Sequence, residues 1–184
     1  EPWSLPDPLR GGDGSLVYLS LGSLGSADVD LMRRLVDVLS RTRYRFIVSK
    51  GPRADEFELP DNMWGEARVP QTSIIPEVDV VITHGGNNTI TESLHFGKPM
   101  VVLPLFWDQY DNAQRMHELG YGVRLDTYGS SDEELVAAVD GLLADEMLRA
   151  SLDALGERIR DTRGTTRAAD LIEEVADRER SIRL

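Results

Sequence analysis

The stretch Val80-Val81-Ile82-Thr83-His84-Gly85-Gly86-Asn87-Asn88-Thr89-Ile90-Thr91-Glu92 decides how this chain is read. An apolar run turns, through a histidine and two glycines, into a polar helix start. A run apolar at every position suits a strand buried on both faces. Glycine lets the backbone approach a ligand closely, and the first N–H groups of a helix, with its dipole, favour an anion. The turn therefore has two readings: a phosphate cradle, or a tight turn whose helix is capped by Asn88 or Thr89. His84 stands where it can hydrogen-bond a diphosphate or sugar oxygen. Glu92, one turn along, is an acceptor suited to ribose hydroxyls.

Outward from this turn, apolar runs alternate with helical patterns. Leu16 to Leu21 and Tyr44 to Val48 read as buried strands, Met63 to Ala67 as a weaker one, and Met100 to Pro104 and Gly122 to Leu125 as two more. Between them, Leu31, Leu35, Val38 and Leu39 share one face of a helix capped by Ser26 or Asp28. Thr72 to Pro76 reads as a helical turn, and Asn88 to Phe96 and Asp111 to Leu119 as helices stopped by Gly97 and Gly120. After Ser130 the chain is helical to near its end, starting from a capping-box pattern at Ser131–Glu134. Residues 1–15, rich in proline and glycine, read as a linker or loop, and residues 16–184 as a single domain with C-terminal helices. The expected fold is α/β: a doubly wound, Rossmann-like parallel sheet covered on both faces. Ligands of such sheets sit at the carboxyl ends of the strands, beside a topological switch point.

Two further strand ends carry unusual residues. Ser20-Leu21-Gly22-Ser23 offers backbone and hydroxyl donors, although it lacks the Gly-x-Gly-x-x-Gly fingerprint of dinucleotide dehydrogenases. Leu103-Pro104-Leu105-Phe106-Trp107-Asp108-Gln109 places a carboxylate beside an amide, a pair suited to a polyhydroxylated ring. The plainer reading of that pair is an Asp108 that caps the next helix and a solvated Gln109. Trp3 and Trp107 read as packing residues, Met63 and Met100 as core, and His95 and His117 as helix-surface residues.

Composition narrows the function classes. The chain has 184 residues and a formal net charge of -12, a field that opposes nucleic acid and anionic membrane surfaces. It does not oppose a small anionic ligand held by local backbone dipoles. No cysteine is present, so disulfide and thiolate chemistry are excluded. No apolar run approaches a membrane span and no signal peptide is visible, which leads to the expectation of a cytoplasmic protein. The missing initiator Met suggests a fragment or a processed chain.

Several elements, in order, carry a family resemblance. His84-Gly85-Gly86-Asn87-Asn88-Thr89-Ile90-Thr91-Glu92 resembles the signature of UDP-dependent glycosyltransferases of the GT-B fold. Val69-Pro70-Gln71 resembles the end of the Trp-x-Pro-Gln element of that signature, and twelve residues separate Gln71 from His84, as the motif expects. Gly97-Lys98-Pro99-Met100 resembles its Gly-x-Pro-Met element, and Pro104 to Gln109 with Asn112-Ala113 its closing Asp-Gln element. The resemblance implies the C-terminal, donor-binding half of the fold, and roles by position. Ser23, His84, Gly85, Gly86, Asn88 and Thr89 would hold the diphosphate of the donor. Gln71 and Glu92 would hold the ribose, Arg68 and the backbone at Val69 the base, and Asp108 and Gln109 the sugar. Arg68 departs from the pattern, standing where the family has a tryptophan that stacks on the base; a guanidinium plane can stack there too.

The function so implied is transfer of a hexose, with inversion, from a UDP- or dTDP-sugar to a hydroxyl or amine of a small molecule, in the manner of natural-product enzymes. The partners are a nucleotide sugar as co-substrate and an acceptor held by an N-terminal domain absent from this chain. That domain would also bring the general base, so no catalytic residue is expected here and the isolated chain is expected to be inactive. Neither a metal nor another cofactor is expected. The alternatives are a non-catalytic or partner-dependent nucleotide-sugar-binding subunit, or a nucleotide-sugar epimerase of the same fold.

Overall fold

The computed structural model describes residues 3–12 and 14–182. Glu1 and Pro2, part of the stretch read as a linker, lie outside the described residues. Six strands form one parallel sheet: β1 (Leu16–Ser20), β2 (Arg45–Ser49), β3 (Met63–Glu66), β4 (Val80–Thr83), β5 (Met100–Val102) and β6 (Gly122–Arg124). The spatial order is β3-β2-β1-β4-β5-β6. The chain first steps from β1 to one edge, then returns to the centre and steps to the other. The reversal lies between β1 and β4, which run in register with Ser20 opposite Thr83. At such a point two strand-to-helix turns diverge and leave a crevice.

The period-two geometry of the strands accounts for the two cores. On one face Val17, Leu19, Phe46, Val48, Val80 and Ile82 pack against α2 (Val29–Ser40) and α6 (Asp132–Ala144). On the other, Tyr18, Ile47, Val81, Met100 and Val102 pack with Ile74, Ile90 and Met116. These three come from α3 (Gln71–Ile74), α4 (Asn87–His95) and α5 (Gln109–Glu118). Burial on both faces is why the strands carry no polar alternation. The expected doubly wound α/β fold is the one observed.

Local signals place the elements. Asp28 caps α2, its Oδ1 accepting from Leu31 N at 3.0 Å. Ser131 and Glu134 close the expected capping box of α6. Residues between α2 and β1 also include α1 (Gly22–Gly25), a single turn that follows β1 directly. Helix α7 (Glu146–Asp161) packs on α4, and α8 (Gly164–Ile182) follows it with Leu171, Ile172 and Val175 exposed. The proline-rich segment read as a linker lies against the domain: Leu9, at the end of a short 3-10 turn, is 1% exposed, and Trp3 and Leu5 flank the same core.

Candidate functional site

The site assembles where β1 and β4 end. Helix α4 begins at Asn87, with Gly86 as its N-cap and no side chain capping it. The expectation that Asn88 or Thr89 caps this helix is therefore corrected: both lie inside its first turn. Ile90 N donates to Gly86 O at 3.1 Å as the first helical bond. Among the described residues the N–H groups of Asn87, Asn88 and Thr89 have no protein acceptor, so three donors and the positive end of the helix dipole face the crevice.

His84 is held edge-on between two glycines. A Cβ placed at Gly22 would stand 2.7 Å from its Cε1, and one at Gly86 would stand 2.6 Å from its Nε2. Any other residue at either position would push the ring out of its slot, and Gly22 also needs its positive φ of 68°. These glycines thus carry a packing reason that the bare motif does not show. Burial pushes the His84 imidazole below its ordinary range, against weaker opposing pulls from the Ser20 backbone and the Asp108 carboxylate. A neutral ring donates one N–H, and a developing negative charge beside it would favour the protonated form. Thr83 Oγ1 accepts from Gly85 N at 3.2 Å and fixes the start of the turn.

A second cluster lies on the α3 side. Gln71 Nε2 donates to Glu92 Oε2 at 2.5 Å and to Thr89 Oγ1 at 3.2 Å. The amide is oriented by Tyr18, whose Oη donates to Gln71 Oε1 at 3.0 Å. Tyr18 was not singled out from sequence, because an aromatic inside an apolar strand reads as core. Its ring is core, 1% exposed, but its hydroxyl reaches the site. Desolvation raises its phenol to about 12, so it stays a neutral donor throughout the ordinary pH range. Thr89 is buried, with its hydroxyl turned toward Gln71 rather than toward the open end of the crevice. Ser20, Gly22, Ser23, Ser49, Gly51, Arg68, Val69 and Gln71 border a cleft of about 340 Å³ beside Tyr18. Arg68 is exposed at its rim and makes no hydrogen bond among the described residues.

A third cluster comes from the loop after β5. Asp108 is the N-cap residue of α5, yet its side chain caps nothing. The plainer reading of Asp108 as a helix cap is thereby corrected. Its Oδ2 accepts instead from Asn87 Nδ2 at 3.0 Å and Asn112 Nδ2 at 3.2 Å, which draws the carboxylate onto the first turn of α4. Asn112 also donates to Gly85 O at 3.0 Å, a bridge that sequence reasoning passed over. Gln109 is not solvated: it is 4% exposed, and its Oε1 accepts from Leu105 N at 2.9 Å and Phe106 N at 3.1 Å. Only its Nε2 is free of protein partners among the described residues. Trp107, read as a packing residue, is 77% exposed.

Of the residues expected from sequence, the structure sets His84 against Gly22 and Gly86, joins Gln71 to Thr89 and Glu92, and joins Asp108 to the first turn of α4, while Gln109 is partly spent on its own loop. Among the described residues no group of three or more His, Asp and Glu is placed to hold a metal ion. No helix there is long and apolar enough to cross a membrane.

Comparison with known proteins bears on the fold and the family. The solved structure of the glycotransferase of kitacinnamycin superposes with a TM-score of 0.84 at 33% identity, over 95% of this chain and 45% of that one. CalG4, the calicheamicin glycosyltransferase, gives 0.80 at 26%, over 96% and 46%. The fold is accordingly the C-terminal half of a GT-B glycosyltransferase fold. In sequence the chain is 30% identical over 164 residues to the NDP-glycosyltransferase YjiC of Bacillus licheniformis, covering 86% of this chain and 41% of that protein. It belongs to the UDP-glucoronosyl and UDP-glucosyl transferase family, whose model matches residues 10–162. The chain spans less than half the length of each of these relatives.

Proposed function

We propose that this chain is the donor-binding half of an inverting glycosyltransferase that moves a hexose from a UDP-sugar to a hydroxyl or amine of a small molecule. The observation that carries the reading is the union, at the switch point, of three unpaired α4 N–H groups with His84 in its glycine slot. In the reaction an acceptor oxygen or nitrogen attacks the anomeric carbon, the bond to the diphosphate oxygen breaks, and charge grows on that oxygen. The α4 terminus and His84 meet this charge. A preorganised donor of this kind is worth about 3 kcal/mol of barrier. The counter-charge in this reading is protein, so chelating agents leave donor affinity unchanged.

Glu92, oriented by Gln71 and Tyr18, is suited to ribose hydroxyls, which favours UDP over dTDP. Asp108, drawn onto α4, is suited to the sugar hydroxyls. Likeness to glycosyltransferases of kitacinnamycin and calicheamicin supports placing the acceptor among small molecules. The acceptor site and the base that takes its proton belong, in this reading, to the part of the relatives that this chain does not match. The chain alone therefore binds donor without turnover. Isothermal titration tests the reading. UDP binds with measurable heat and His84→Ala weakens it at least tenfold, whereas silence with millimolar UDP would remove the donor site.

A further inference from the structure

The loop that carries Asp108 holds a residue with no part in the donor contacts described above. Trp107 adopts φ 56°, the one positive φ outside glycine among the described residues. A bulky residue held there is strained and persists only where its surroundings impose it. The surroundings do so here. Gln109 Oε1 pins the backbone at Leu105 and Phe106, and Thr127 Oγ1 donates to Pro104 O at 2.6 Å. The strained backbone gains little burial in return: the indole is 77% exposed and lies edge to face with Phe106, at 4.8 Å between centroids. A packing role would cover the ring.

Its chain neighbour is Asp108, whose carboxylate sits against Asn87 in the first turn of α4. In the donor-binding reading, a sugar linked to a diphosphate at that helix start falls on the side where this carboxylate stands. A hexose ring presents hydroxyls around its edge and C–H groups on its faces. A carboxylate answers the first, and an aromatic face, apolar and electron-rich, answers the second. We propose that Trp107 is the stacking platform for the C–H face of the donor hexose, and so a specificity-determining residue that separates UDP-sugar from UDP. The inference rests on the donor-binding reading and deepens it.

The test uses this chain with UDP-glucose as probe and UDP, which lacks the ring, as reference. In Trp107→Gly the ratio of UDP affinity to UDP-glucose affinity moves against the sugar on the order of fivefold, while UDP affinity holds. Trp107→Phe retains part of the discrimination. Because glycine adopts φ 56° without strain, Trp107→Gly melts no lower than the parent. Tryptophan emission shifts to shorter wavelength with UDP-glucose and not with UDP, since Trp3 and Trp64 are half-buried on the other core. An unchanged affinity ratio in Trp107→Gly, or a clear loss of melting temperature, overturns the proposal while leaving the donor site standing. Failure of the parent chain to bind UDP at all removes the donor-binding reading, and this inference with it.

Discussion

His84 shows how far a single residue can be read. Its place at a strand end, before two glycines, marks it as a ligand-facing donor from sequence. What sequence does not show is the slot: Gly22 lies sixty-two positions earlier, yet leaves the space that the ring fills. The same limit hid Tyr18, whose ring obeys the strand pattern while its hydroxyl serves Gln71. It hid the conformation of Trp107 too, because nothing local announces a positive φ in a non-glycine residue. The depressed His84 imidazole has a consequence for stability. Between its folded value and the ordinary one near 6.5, the unfolded chain binds more protons, so this group adds stability as pH rises through that window. That stability is present above about 6.5 and is lost as pH falls below it. Melting temperatures of parent and His84→Gln, followed from pH 5 to 7.5, are therefore expected to converge at the acid end, with the parent the steeper of the two. Parallel curves would mean that the ring titrates normally.

At the scale of elements, the β4–α4 unit was legible because its apolar run, glycines and polar helix start each follow from local chemistry. Its helix boundary was less so. Asn88 and Thr89 are good capping residues, but Gly86 takes the cap position, which leaves the first-turn donors open. In the proposed reading this helix start, kept open for a ligand, forgoes the side-chain cap that would stabilise it. The β5–α5 loop was misread for the converse reason: Asp108 has the identity of a cap, but Asn87 and Asn112, distant in sequence, compete for its carboxylate. A pair of substitutions separates binding from capping. Gly86→Ala puts a methyl against His84 and a poor residue at the cap, at about 1 kcal/mol of stability. Ser131→Ala removes the α6 capping box at a similar cost of about 1 kcal/mol. Urea unfolding is expected to show both losses. Titration with UDP is expected to show at least a tenfold loss in Gly86→Ala and none in Ser131→Ala. Equal affinities would show that the glycine slot is irrelevant to the ligand.

At the scale of the molecule, strand alternation and continuous burial made the doubly wound sheet readable, and with it the switch point where the candidate site lies. The strand order follows from no single segment, since the return from β3 through α3 to β4 at the centre depends on packing across the whole sheet. In the proposed reading the groups that hold the donor come from three separate strand ends, and only the sheet brings them together. In that reading a chain with net charge -12 accepts an anion there because the attraction is local, made of backbone N–H groups and one imidazole. The most direct measurement of this claim is a titration of the isotopically labelled chain with UDP, followed amide by amide in nuclear magnetic resonance. The account predicts the largest shifts at Asn87, Asn88 and Thr89, with smaller ones at Gly22, Ser23 and Gly85. Binding that left the first turn of α4 unmoved, with its shifts gathered elsewhere on the molecule, would contradict it.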